Sequence, residues 1–261
     1  MDTEALVKLS RDMRKASGTM TRNEARYLLS LYLTMQNNRK ASDQKAAKME
    51  ERNNGEPHAV LDWVSENSRA LEKQILGALA AYAESQPMGQ WAMAIDGVGP
   101  IVAAGLLAHV DIERCPTVGH IWAFMGYDPT KQWKHGEKRP YNAALKQIGY
   151  YAGECFVKCV KSPYRKLYDD RKAYEAPKNE AGEYAAAAAA VLAARPTHAQ
   201  KATYAAGKLP DGHLHSRAKR WAVKQFVADW HAEAYRQHFG KEPPLPYPIA
   251  ILGHTHLRKA A

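Results

Sequence analysis

Residues 95–100, Ile-Asp-Gly-Val-Gly-Pro, constrain what this chain can fold into more than any other stretch. Two glycines bracket one apolar residue, and Pro100 follows where a helix should begin, a place where its missing N–H is harmless. Apolar residues flank the sextet from Trp91 to His109, so the pattern predicts a tight turn between two helices. Glycine tolerates positive φ and carries no Cβ, which lets the N–H groups of Val98, Gly99 and Ile101 face one bound anion. Phosphate is the expected anion, because a helix start concentrates unpaired N–H groups at the positive end of its dipole. Gly97, Val98, Gly99 and Ile101 are therefore candidate backbone contacts to a nucleic acid, set against the alternative of a plain αα-hairpin turn.

The sextet resembles the helix-hairpin-helix motif of DNA-binding proteins. That resemblance implies a grip on the nucleic-acid backbone without base reading.

Charge points the same way. The chain of 261 residues carries a formal charge of +10, and it is unevenly placed. Residues 1–90 hold 13 Lys and Arg against 12 Asp and Glu, whereas residues 176–261 hold 12 against 6. A basic excess argues for a polyanionic partner, not for a fold. No apolar run reaches the roughly 18 residues of a membrane span, and the acidic start lacks a signal-peptide core. A cytoplasmic location without membrane contact is expected. Cys115, Cys155 and Cys159 form no C-x-x-C pair, so no metal or redox role is assigned. Cys155 and Cys159, four apart, are expected as two buried thiols.

The periodicity is helical throughout. Apolar residues from Asp2 to Ser17 form one stripe, and Thr21 with Glu24 makes a capping box for a helix from Arg22. Asn53–Pro57 breaks it, and a third helix runs from His58 to Glu84. Residues 22–84 thus read as an antiparallel hairpin, whose balanced charge suits a stalk or a homodimer contact better than a nucleic-acid contact. Thr117 can cap a helix over 118–125, closed by Gly126. The loop that follows, 127–140, mixes turn residues with aromatics and with Lys134, His135, Lys138 and Arg139, which suits phosphates and exposed bases. A helix over 142–162 leads to a basic run containing Arg165 and Lys166 with interleaved tyrosines.

From Pro177 the sequence predicts an alanine-rich helical spacer without chemistry. A last helix, from about Ser216 to Phe239, groups Arg217, Arg220, Lys224 and His231 on one face, beside an apolar side. The six histidines at 213, 215, 231, 238, 254 and 256 read as polar surface groups rather than metal ligands. Ser162 and Ser216 are hydroxyls near basic residues, and Asp169, Asp170 and Glu175 cluster in sequence. The two adjacent carboxylates point about 100° apart on a helix, which suits a salt-bridged surface.

Three landmarks in order widen the resemblance: Ile95–Pro100 with Ala103-Ala104, then Phe124-Met125-Gly126-Tyr127-Asp128-Pro129, then Gly136-Glu137-Lys138-Arg139 before a long helix. Residues 91–160 resemble the C-terminal domain of bridge-RNA-guided insertion-sequence transposases. The resemblance implies a serine in the loop that joins covalently to DNA, yet Trp133-Lys134-His135-Gly136 offers no hydroxyl. It also implies an N-terminal nuclease-like α/β domain with four metal-holding carboxylates, whereas residues 1–90 read as helices.

The expected fold is all-α: an N-terminal helical hairpin over 1–88, a helix-hairpin-helix domain over 89–176, and a spacer with a basic helix over 177–261. The expected function is non-catalytic, backbone-directed binding of DNA or structured RNA in a phage or mobile element, with no cofactor and no metal. Two other classes are an enzyme of recombinase type with a nucleophile elsewhere, and a helical scaffold for an acidic protein.

Overall fold

A computed structural model describes residues 8–53, 59–131, 133–134, 136–245 and 250. Among them all regular structure is helical: α1 (Arg11–Ala16), α2 (Arg22–Asn53), α3 (Ala59–Glu84), α4 (Pro87–Met93), α5 (Pro100–His109), α6 (Val118–Phe124), α7 (Ala143–Lys158), α8 (Pro163–Glu180), α9 (Ala185–Ala194), α10 (Lys201–Ala205) and α11 (Asp211–Phe239). The all-α expectation is met. None of these helices is long and apolar enough to cross a membrane. The chain divides into two compact units, one of residues 1–94 with 99–111 and one of residues 95–98 with 112–261.

In the first unit the capping box closes as the spacing demands. The Thr21 N–H donates to Glu24 Oε2 at 2.7 Å, and the Glu24 N–H donates back to Thr21 Oγ1 at 3.3 Å. Helices α2 and α3 are antiparallel, since Arg39 pairs with Glu72 while Asp43, one turn on, accepts from Ser65 and Arg69. Arg39 grips Glu72 through two nitrogens, at 2.7 and 3.1 Å, a geometry that a guanidinium fork favours. Helix α5 is apolar on nearly every side because it packs on both α2 and α3, burying Val102, Ala103, Ala104, Leu106 and Ala108. Arg26 of α2 donates to the Ala108 carbonyl at 2.6 Å, satisfying an orphan acceptor at the end of α5. The first expected helix is shorter than its apolar stripe: it starts at Arg11 behind an extended Ser10, whose hydroxyl accepts from the Met13 N–H at 3.1 Å, and residues 2–7 lie outside the described residues.

The second unit is built around α11, which packs on α6, α7 and α8. Phe156, Tyr164 and Phe226 form a ring cluster with centroids 4.8 to 5.3 Å apart, and the Tyr164 hydroxyl donates to Asp229 at 2.8 Å. Helix α11 starts at Asp211 rather than Ser216, because Pro210 is extended and supplies the N-cap ahead of an acidic first turn. Helix α8 likewise runs through Pro177 to Glu180, into the stretch that the sequence assigns to the spacer. The alanine run is more than a spacer: Ala188 is fully buried with Tyr204, Leu209 and Leu214. Asn179 clamps this cluster to α8, donating to the Leu209 carbonyl at 2.9 Å and accepting from its N–H at 2.8 Å.

Two side-chain placements differ from expectation. Cys155 and Cys159 are half-buried rather than buried, although Cys115 is buried. His231 stays on the face of Lys224 but is buried there rather than exposed: it is 2% exposed, with Nε2 2.8 Å from the Cys115 carbonyl. Its place follows from seven residues of separation from Lys224, two turns that carry it towards the residues around Cys115.

Candidate nucleic-acid interface

The hairpin turn is closed by the Val98 N–H, which donates to the Ile95 carbonyl at 2.9 Å. Gly97 sits at φ +91°, and a Cβ there would lie 3.2 Å from the Cys159 side chain and 3.4 Å from that of Ser162. Backbone sign and space both require glycine at this position. Val98 is buried. Gly99 is the N-cap of α5, extended at φ −98°, and open space lies where its Cβ would be. Ile101 is the second residue of that helix. So the two glycines do different jobs: Gly97 lets the turn form, and Gly99 leaves room beside it.

The second landmark ends α6. Gly126, at φ +73°, is followed by Tyr127, whose N–H donates to the Trp122 carbonyl at 2.8 Å while the Gly126 N–H donates to the Ala123 carbonyl at 3.0 Å. This pair of bonds is a Schellman motif. It lays the Tyr127 ring against α7 at Gly149, where a Cβ would come within 2.6 Å of the hydroxyl. Burial raises the pKa of the Tyr127 hydroxyl to about 12, opposed by the nearby Arg220.

The loop beyond Tyr127 is tied at both ends. Asp128 accepts from Thr130, and the Asn142 N–H donates to the Phe124 carbonyl at 2.8 Å. Within it, Trp133 donates to the Glu137 carbonyl at 2.8 Å, and Arg139 stacks 5.4 Å from the Trp133 ring. Lys134, Lys138 and Arg139 are exposed. His135 lies outside the described residues. Arg165 and Lys166 are instead each paired one turn on, with Asp169 and Asp170 at 2.7 Å. Asp169 and Asp170 are therefore the salt-bridged surface that their spacing suggests.

Arg217, Arg220 and Lys224 do share one stripe of α11, but in three different states. Arg217 donates to Glu175 at 2.7 Å and lies 4.6 Å from the Tyr184 ring. Lys224 places its ammonium 4.3 Å from the Trp122 ring and feels Asp128. Arg220 is exposed.

Glu175 clusters in sequence with exposed acids, yet it has no exposed surface itself. Arg171 reaches it at 2.6 Å and Arg217 at 2.7 Å. Burial pushes the carboxyl up, but hydrogen bonds from Arg217, Tyr184 and Arg171 outweigh that and hold it below its ordinary value. Arg171 in turn stacks 4.8 Å from the Trp221 ring and 5.0 Å from that of Tyr174. The spacing of Arg171 and Glu175 is visible in the sequence. Arg217, 42 residues beyond Glu175, is not.

The candidates thus fall into separate groups. Gly97 meets the connection that begins α8, Arg139 of the loop stacks on Trp133, and the α11 stripe meets Trp122 through Lys224 and Glu175 through Arg217. Of the hydroxyls, Ser216 donates to the Gly212 carbonyl, and Ser162 is buried without a partner among the described residues. Among the described residues, no three His, Cys, Asp or Glu side chains are placed to hold a metal ion.

Residues 89–148 match the model of the transposase IS116/IS110/IS902 family. The matched stretch takes in the hairpin, the Gly126–Tyr127 turn, the loop and the first part of α7. This family includes the bridge-RNA-guided transposases, so the resemblance carried by those landmarks holds. No curated protein and no solved structure matches the chain. The matched stretch covers the candidates from Gly97 to Arg139, while Arg165, Lys166 and the α11 stripe lie outside it.

Proposed function

We propose that this chain binds nucleic acid, DNA in the first instance, through its phosphate backbone and without cleaving it, in a phage or other mobile element. The observation that carries this reading is the transposase-family stretch itself, whose loop exposes Lys134, Lys138 and Arg139. Phosphates bound by such cations release the counterions condensed on the nucleic acid, and that release drives backbone binding. The open space at Gly99, beside the start of α5, supports a close approach of the backbone to the hairpin.

The test is a salt series on nuclease-treated protein with labelled duplexes. Removing one phosphate contact should reduce the slope of log affinity against log salt by about 0.9. Gln at Lys134, Lys138 and Arg139 should therefore remove up to about 2.7 units, whereas Gln at Lys45 and Lys48 should change nothing. Gly99→Val should weaken binding with the helical circular dichroism kept, because the added side chain enters open space. A flat salt series would instead point to the acidic-protein scaffold.

We propose residues 22–84 as the homodimer contact. Val60, Leu61, Trp63 and Val64 expose 41 to 57% of their surface on α3, and a second copy would cover them. Light scattering should report twice the mass of one chain, and a single-chain mass would reject the contact.

A further inference from the structure

The basic run of α8 carries three tyrosines, and the core takes two of them. Tyr164 and Tyr168 are buried; the first donates to Asp229 at 2.8 Å, and the hydroxyl of the second lies 2.7 Å from His215 Nδ1. Tyr174 is 52% exposed. Arg171, Tyr174 and Lys178 follow one another at three and four residues, so they share one edge of the helix. The Arg171 guanidinium and the Lys178 ammonium each lie 5.0 Å from the Tyr174 ring.

The second observation comes from α11. Trp221, part-exposed on that helix, stands 4.8 Å from the same Arg171 guanidinium, so rings of two different helices share one cation. Arg171 is not free to swing away from them, because the buried Glu175 holds it at 2.6 Å. Glu175 holds Arg217 as well, so two guanidiniums face one carboxylate and a positive charge is left over. Lys178 is balanced by Glu183 at 2.7 Å. The surface around Tyr174 is therefore aromatic, basic and fixed in geometry by ion pairs.

An exposed ring flanked by a fixed guanidinium suits a flat, electron-rich partner that also carries negative charge. A nucleotide is such a partner, since every base has a π-face and each is followed by a phosphate. An acidic peptide would satisfy the charge but would leave the ring unused. In a duplex the base faces are stacked on one another, so the base that reaches Tyr174 must be unpaired.

We propose that Tyr174, with Arg171 and Trp221 beside it, forms a stacking platform for an unpaired base of single-stranded DNA. Glu175 is the positioning residue that keeps Arg171 between the two rings. The platform lies outside the transposase-family stretch, and it rests on the proposed nucleic-acid reading only for the choice of DNA as the polymer.

The experiment uses the full chain, freed of nucleic acid by nuclease, and measures affinity for a labelled thymidine strand, an abasic strand of the same length, a duplex and a uridine strand. The wild type should prefer the thymidine strand to the abasic one by about fivefold or more, the range that stacking of one base supplies. Tyr174→Ala should lose that preference with the salt slope unchanged, since the ring carries no charge. Tyr174→Phe keeps a π-face and should keep the preference, whereas Tyr174→Leu keeps only apolar bulk and should behave like the alanine variant. The exposure of Tyr174 lets all three variants keep the fold, which circular dichroism checks.

If the wild type binds the duplex and Tyr174→Ala discriminates thymidine from abasic strands as the wild type does, the platform is overturned and the backbone reading survives. If the wild type binds no duplex but holds the thymidine strand through Tyr174, the platform stands and the duplex reading falls. Tighter binding of the uridine strand than of the thymidine strand overturns the choice of DNA. A wild type that binds thymidine and abasic strands alike, or neither, overturns the platform.

Discussion

Replacing Glu175 by Gln should destabilise the second unit by an amount that the geometry sets. The carboxylate is fully buried and joins α8 to α11 by holding Arg171 and Arg217 at 2.6 and 2.7 Å. Gln keeps the volume but not the charge, so two neighbouring guanidiniums lose their counterion. Removing one partner of a buried ion pair costs about 3–5 kcal/mol. Here the arginine side chains are 26 and 29% exposed, and rehydration returns part of that, leaving about 2–3 kcal/mol. For a unit of this size that is a midpoint lower by roughly 4–12 °C.

The pH dependence has a definite sign. The Glu175 carboxyl is held below its ordinary value in the fold, so its contribution is complete above the ordinary carboxylate range. It is lost as pH falls through the folded value. Thermal melts by circular dichroism should therefore show the wild type converging on the variant in acid. A variant within about 1 °C of wild type at neutral pH, or a gap that persists in strong acid, would refute the counterion argument.

Gly126→Ala should cost about 2 kcal/mol or more, because φ is +73° and the new Cβ would stand 2.8 Å from the Tyr141 ring; unfolding in urea measures it, and a neutral result would mean the ring moves freely. Incubation with supercoiled DNA and magnesium should give neither cleavage nor a covalent adduct, since Lys134 and its neighbours offer no hydroxyl; an adduct stable in detergent would establish the recombinase-type enzyme instead.

The helices were legible because their signals are local. Thr21 and Glu24 are three residues apart, Gly126 follows its helix directly, and Asp169 and Asp170 find partners one turn away. Errors arose where a distant element decides. Nothing near Pro177 says that α8 continues through it, and nothing near Ala188 says that Tyr204 and Leu209 will cover it. His231 has the polarity of its basic neighbours in sequence, but its partner is the Cys115 carbonyl 116 residues away. Periodicity assigned His231 to the helix and to its face correctly, but it does not say that this turn of the face is covered. The site suffered in the same way, since Glu175 reads as one of three clustered acids until α11 brings Arg217 to it.

That pairing changes what the basic charge means. Counting lysines and arginines treats Arg165, Lys166, Arg217 and Arg220 as equals, yet three of the four already have a carboxylate within 2.7 Å. A paired cation can meet a phosphate only by giving up or sharing its partner, so it contributes less to counterion release than a solitary one. Of the candidate cations, Lys134, Lys138 and Arg139 on the loop and Arg220 on α11 are exposed without acid partners among the described residues, so on the proposed reading they contribute most. The paired ones have a different use. Ion pairs along α8 and across to α11 hold Arg171 beside the Trp221 ring and Arg217 beside the Tyr184 ring. A rigid donor array loses less conformational entropy when an anion binds than a set of free side chains would.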